Sequence, residues 1–183
     1  MAERLRLFVA LDLPAPARAA LAAFRDAEAD PAVWRPVSDK ALHLTLAFLG
    51  HRDAGDVARV QAVLEGCAGR APALELGAAL LLPPRRARVL CAEVADGGGG
   101  LAALQTCVSD GLAAASVYEP EKRPFRAHAT VARLRAGARP PRAARTPGPE
   151  PVAFRGEALT LYRSRLRRGG AAYEPLCRVP LAS

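Results

Sequence analysis

Two of the chain's three histidines stand in the same short phrase: His43 opens "HLTLAFLG" (His43–Gly50) and His128 opens "HATVARL" (His128–Leu134). In each a threonine follows two places later, Thr45 and Thr130, and then an apolar run. Only five residues of 183 are threonine, so a given histidine has about a 3% chance of that neighbour, and two of three share it by accident with a probability of roughly 0.3%. Read as strands, these runs put residues i and i+2 on one side, with side-chain bases about 6.5–7 Å apart. A threonine hydroxyl can then bond a phosphate oxygen while the neighbouring imidazole reaches a bridging oxygen or a water. Two such strands facing each other place two imidazoles on opposite sides of one phosphorus. In-line phosphoryl displacement needs that arrangement, with one neutral histidine as base and one protonated histidine as acid.

A single histidine in an apolar run is more often structural than catalytic, and threonine is a good strand former in its own right. The repetition turns both pairs toward chemistry. His51 has no threonine partner and reads as part of a polar turn. On an ideal strand Arg126, two places before His128, shares its face and is a candidate for phosphate contact. Arg133, five places on, points the other way and is a weaker one. Tyr162 and Ser164 in "LYRSRL" are candidates for the border of the cleft, although a plain edge strand explains them almost as well. Phe125 and Trp34 can stack on a base, but core packing is the commoner fate of such residues.

The elements that must position these residues alternate. "LRLFVALDL" (Leu5–Leu13) reads as an opening strand, and Ala15–Ala29 as an Ala-rich helix with Leu21 and Phe24 on one face. A loop, Trp34–Leu42, leads to the first motif strand, stopped by Gly50. In that strand His43, Thr45, Ala47 and Leu49 are expected on one face, and Leu44, Leu46 and Phe48 on the other. A helix near Ala54–Gly66 and a strand Ala73–Leu82 come next. The order then repeats: strand Arg88–Val94, helix Leu101–Ala115, a loop, and the second motif strand. Asp12 precedes His43 by 31 residues and Asp96 precedes His128 by 32, which points to an internal duplication. A basic loop (Arg135–Pro151) and a closing hairpin (Val152–Leu166 with Ala171–Leu181) complete the chain. An α+β fold of two pseudo-symmetric lobes, with mainly antiparallel strands, accounts for this order.

The bulk composition is globular, with 51% apolar and 24% charged residues. A net charge of +8 is almost wholly arginine, since lysine occurs only at Lys40 and Lys122. Guanidinium groups match phosphate bidentately. Alanine, glycine and proline are also abundant, so part of the arginine excess is compositional bias. Charge by itself permits a polyanionic partner and no more. Cys67, Cys91, Cys107 and Cys177 are widely spaced without C-x-x-C, and three of them read as small core residues. No clustered ligand set suggests a metal, no segment is long and apolar enough to span a membrane, and the expected setting is reducing and cytoplasmic.

"HLTLAFLG" and "PFRAHATVARL", with "RLRLFVALDLP" before them and "LYRSRL" then "YEPL" after, resemble the 2H phosphoesterases. The match is to the bacterial and archaeal RNA 2′,3′-cyclic phosphodiesterases, also called 2′-5′ RNA ligase-like proteins. It covers essentially the whole chain; Ala127 and Ala129 depart from the proline and larger apolar residue usual at those places. The resemblance implies one domain over residues 1–183. Its two pseudo-twofold lobes would hold two mainly antiparallel sheets, flanked by helices, around a central cleft, with one H-x-T-x motif per lobe. It further implies metal-independent hydrolysis of RNA 2′,3′-cyclic phosphodiester ends to 2′-phosphomonoesters, and in some members reversible, ATP-independent 2′-5′ joining of tRNA halves. His43 would donate a proton to the leaving 3′-oxygen, His128 would accept one from water, and Thr45 and Thr130 would hold non-bridging oxygens. No cofactor is expected. The partner would be RNA ending in a cyclic phosphate, or a small cyclic nucleotide, met by a monomer. Two alternatives stand beside this: the same chemistry on another cyclic or 2′-5′ nucleotide, and a non-catalytic RNA-binding module.

Overall fold

The opening apolar run forms β1 (Arg4–Asp12) in the computed structural model, which describes residues 3–140, 147–167 and 170–183. Leu7 to Leu11 are buried on both faces, as a central strand requires. Helix α1 (Ala15–Glu28) comes next with Pro16 in its first turn, where a missing N–H breaks no helical bond. Ala17, Leu21 and Phe24, at i, i+4 and i+7, turn into the core. After them come β2 (Trp34–Pro36), a 3-10 turn at Asp39–Ala41, β3 (His43–Asp53) and α2 (Asp56–Cys67). The second half holds β4 (Ala73–Leu82), β5 (Val89–Ala95), α3 (Gly100–Ala114) and β6 (His128–Leu134). Strands β7 (Ala153–Arg155), β8 (Ala158–Arg167) and β9 (Gly170–Pro180) close the chain.

The strands lie in the order β7-β4-β5-β6-β3-β1-β8-β9, with β2 on β6, and every strand pairing is antiparallel. Apart from β2, four strands on each side meet where the motif strands β3 and β6 touch, through a single register pair, Leu44 with Ala129. Helices α1 and α3 cross this seam. Helix α1 leaves β1 yet packs on β6 and β7, whereas α3 leaves β5 and packs on β3. Both halves therefore share one buried cluster, from Leu7 and Leu11 through Leu44 and Ala129 to Leu90 and Leu112.

Several expectations change. Gly50 does not stop β3: with φ +71° it takes up a bulge in which Leu7 pairs with Gly50 and Phe8 with Phe48. His51 is therefore an exposed strand residue beside Arg6, not part of a turn. Within the expected loop, Trp34–Pro36 is a strand and Trp34 is core. The run Val152–Leu166 splits at Gly156, sending β7 to the far edge of the sheet beside β4. A Cβ at Gly156 would meet Leu11 at 2.6 Å, so the crossing needs glycine there. Cys67 and Cys107 are not separate core thiols but a disulfide joining α2 to α3, with Cα atoms 5.9 Å apart. Residues 141–146 of the basic loop and 168–169 of the closing turn lie outside the described residues. Among the described residues no helix is long and apolar enough to cross a membrane.

Candidate active site

Both motif histidines open their strands, and both rings are fixed in the same way. The Nδ1–H of His43 donates to the carbonyl of Ala41 at 2.7 Å, and that of His128 to the carbonyl of Arg126, also at 2.7 Å. A carbonyl only accepts, so Nδ1 carries the proton in each neutral ring and Nε2 is left for chemistry. The Thr45 hydroxyl lies 3.0 Å from His43 Nε2 and donates to it when the ring is neutral. Antiparallel pairing of Leu44 with Ala129 sets His43 beside Thr130 and Thr45 beside His128. The two histidines are thus diagonal neighbours, which in a regular ladder stand about 7–8 Å apart.

The turn that presents the Ala41 carbonyl is anchored to α1. Arg25 of α1 is buried, and its guanidinium donates to Val37 O and Asp39 Oδ1, both at 2.6 Å, and to Asp26 Oδ1 at 2.8 Å. It ties α1 to the turn that ends in Ala41.

His43 sits among aromatic rings. Phe8 stacks on it at 4.9 Å, Tyr173 meets it edge-on at 5.3 Å, and Tyr162 lies 6.0 Å away. Burial pushes its pKa down to about 4; the bond to Ala41 and the charge of Asp12 oppose this, while the charges of Arg133 and His128 add to it. Asp12 is the residue opposite His43 on β1. Its carboxylate accepts from Thr160 Oγ1 at 2.9 Å, Tyr162 OH at 2.8 Å and Arg178 Nε at 3.0 Å. Burial and then Asp12's charge push the Tyr162 phenol up, so it stays protonated.

Both motif strands depart from ideal alternation at the same place. Ala10 pairs with Thr45 and Val9 with Ala47, leaving Leu46 extra; Cys91 pairs with Thr130 and Leu90 with Ala132, leaving Val131 extra. Each bulge reverses the facing of the residues beyond it. Ala47 and Leu49 turn into the core, contrary to the expected faces, and Phe48 joins the face of His43 and Thr45 at 53% exposure. Arg133, expected to point away, likewise returns to the face of His128 and Thr130.

A cleft of about 840 Å³ opens beside Thr45 and His128, walled by Phe48, Phe125, Tyr118 and Arg126. Arg126 lines it as expected, paired with Glu93 at 3.4 Å. The hydroxyls of Tyr162 and Ser164 are engaged elsewhere, Ser164 accepting from Arg6 at 3.2 Å. Tyr162 shapes His43's surroundings and spends its donor on Asp12, whereas Ser164 is held through its acceptor side only. Cys91, 3.6 Å from Thr130 Oγ1, is pushed up to about 11 by burial and remains a thiol. Asp12, Phe8, Phe48, Tyr173, Arg25 and Arg178 are not singled out as site residues by the sequence. The signals it carries are for Asp12 alone: a carboxylate closing an apolar strand in "FVALD", and a spacing to His43 that Asp96 and His128 nearly repeat. Among the described residues no cluster of His, Cys, Asp and Glu could hold a metal ion.

A curled antiparallel sheet with three helices, presenting two H-x-T strands at its centre, defines the two-histidine phosphoesterase class of α+β proteins. The family model for the 2′-5′ RNA ligase superfamily matches residues 13–168, and the chain belongs to that superfamily. A protein of Escherichia coli (strain K12) named RNA 2′,3′-cyclic phosphodiesterase is 33% identical over 184 residues, covering 97% of each chain. The crystal structure of E. coli LigT complexed with 3′-AMP matches with a TM-score of 0.82 at 31% identity, over 99% of this chain and 100% of that one. The crystal structure of TT0787 of Thermus thermophilus matches at 0.76 and 29% identity, over 97% and 98%.

Proposed function

We propose that the chain hydrolyses the 2′,3′-cyclic phosphate at an RNA end to a 2′-phosphomonoester, with His43 as proton donor and His128 as proton acceptor. One observation carries the reading: two imidazoles, each held through Nδ1 by the carbonyl two residues back, stand diagonally across a seam with a threonine beside each. The E. coli relative's name points to the same substrate.

In the forward step His128 Nε2 takes a proton from water as the water oxygen bonds to phosphorus. The P–O3′ bond breaks, and His43 Nε2–H delivers a proton to O3′. The products are a 2′-phosphomonoester and a 3′-hydroxyl. His43 is neutral in the free protein near pH 7, and the negative charge of the bound phosphodiester raises its pKa so that the proton is present for O3′. Thr45 and Thr130 bond the non-bridging oxygens, while Arg126 and Arg133 supply positive charge around them. With an RNA 5′-hydroxyl attacking in place of water, the same two groups join RNA ends through a 2′-5′ linkage. Residues 1–183 act as one unit, a reading supported by the single core shared across the seam, and we take the acting species to be a monomer.

The test is a product assay on 2′,3′-cyclic nucleotides and on RNA ending in a cyclic phosphate, resolving 2′- from 3′-phosphate. Release of the 2′-phosphate supports the reading. Tight RNA binding with no product would identify a binding module instead.

A further inference from the structure

A second groove, of about 920 Å³, is lined by six guanidinium-bearing residues: Arg35, Arg85, Arg86, Arg88, Arg133 and Arg135. No aspartate or glutamate lines it. Among the described residues none of the six forms an ion pair, whereas Arg25, Arg59, Arg126, Arg163, Arg165 and Arg178 all do. Other described arginines, Arg4, Arg52, Arg70 and Arg123 among them, also form no ion pair, so what sets these six apart is their gathering in one groove without a carboxylate.

The arrangement is also built into the sheet. Arg35 of β2 stands directly opposite Arg133 of β6. Like charges facing each other across a ladder are destabilising, so the pair calls for an anion between them. Arg85 and Arg86 sit on the tight turn between β4 and β5, held by Arg86 N–H to Pro83 O at 3.1 Å and Arg88 N–H to Leu82 O at 2.7 Å. Pro84, Arg88 and Val89 line both this groove and the cleft beside His128, so the two adjoin.

A cyclic phosphate is the 3′ terminus of its strand, so all remaining nucleotides lie on one side of it. We propose that the arginine groove binds the phosphodiester backbone of the nucleotides upstream of the cyclic end, making the site selective for RNA strands over cyclic mononucleotides. This rests on the proposed reading of the histidine pair. Fixed guanidinium groups at the exit of the cleft take up successive backbone phosphates and release their counterions.

The experiment compares kcat/KM for a 2′,3′-cyclic mononucleotide and for a short single-stranded RNA ending in a cyclic phosphate, across a salt series. It uses the parent protein, Arg85→Ser/Arg86→Ser, and Arg4→Ser/Arg70→Ser as a charge control outside both cavities. Arg85 and Arg86 are exposed, so the double variant removes charge without opening the core. The groove variant is expected to lose about tenfold or more on RNA at low salt, with a salt slope shallower by about 1.4, at about 0.7 for each single-strand phosphate that is no longer neutralised. Its mononucleotide kcat/KM is expected to be unchanged, and the control variant to behave like the parent on both substrates. Equal losses on both substrates, equal effects of the control variant, or no loss on RNA would each overturn the groove assignment while leaving the histidine reading intact. A parent protein that turns over neither substrate overturns the histidine reading, and this inference with it.

Discussion

Phe48 and Arg133 occupy equivalent places in the two motif strands: each follows its histidine by five residues, and each is returned to the histidine's face by a bulge two places before it. The duplicated frame therefore presents an exposed aromatic ring on one side and a guanidinium on the other. Base–aromatic stacking is worth about 1–3 kcal/mol per base. Phe48→Ala is expected to raise KM for a cyclic mononucleotide by about 5-fold to 150-fold, the same range converted, with kcat retained. A fall in kcat at constant KM would show that the ring acts on the chemistry and not on the base.

Removing either motif histidine takes away a general acid or base. His43→Ala and His128→Ala are each expected to lower kcat/KM by about 10²–10⁴-fold. The parent's pH–rate profile should be bell-shaped, and chelators should leave the rate unchanged. His51→Ala, on an exposed stretch of β3, is expected to turn over normally. Near-normal turnover by either motif variant would remove that histidine from the mechanism.

The two H-x-T phrases are legible in sequence because their chemistry lies in residue types at a fixed short offset. The bulges at Leu46 and Val131 are not, because a bulge is defined by the partner strand's register and leaves the strand's own composition unchanged. That is why ideal alternation puts Arg133 on the wrong face and gives Phe48 no role. Asp12 becomes visible as a site residue only when β8 brings Thr160 and Tyr162 against it from about 150 positions away along the chain. The Cys67–Cys107 pair depends on the packing of α2 against α3. A Cβ at Gly111 would meet Val63 at 2.7 Å, so the helices approach closely, and cysteine spacing alone does not show it.

His43 also makes stability depend on pH. Its folded pKa of about 4 lies below the ordinary 6.5, so the unfolded chain binds more protons between those values. The contribution of the neutral ring is complete above pH 6.5 and is lost as pH falls toward 4. Its full size is about 3 kcal/mol, taking about 1.36 kcal/mol per tenfold change in proton affinity. Chemical denaturation of the parent and of His43→Gln at pH 7 and pH 4 should show the parent losing more stability by about that amount. Parallel losses would mean that His43 titrates normally in the folded chain.

Arg25 is expected to be a positioning residue, acting through the Asp39–Ala41 turn on the carbonyl that holds His43 Nδ1. Arg25→Met keeps the aliphatic stem against the core but frees the turn. The expected result is a lower kcat with KM little changed, and a pH–rate profile displaced on the limb set by His43. A purely structural role would lower the melting temperature and leave the profile of the folded fraction where it was.

Asp12 faces His43 in register, and its charge opposes the burial that holds His43 neutral. It also raises the Tyr162 phenol pKa, after the larger effect of burial. Asp12→Asn is close to isosteric, so the two effects separate cleanly from packing. The His43 pKa should fall further below 4, reducing its protonated fraction in the enzyme–substrate complex and lowering kcat. The Tyr162 phenol should ionise at lower pH than in the parent. NMR titration of the His43 ring and spectrophotometric titration of tyrosine read the two shifts independently. A His43 pKa that rises in Asp12→Asn would mean that Asp12 acts on the ring through packing and not through its charge.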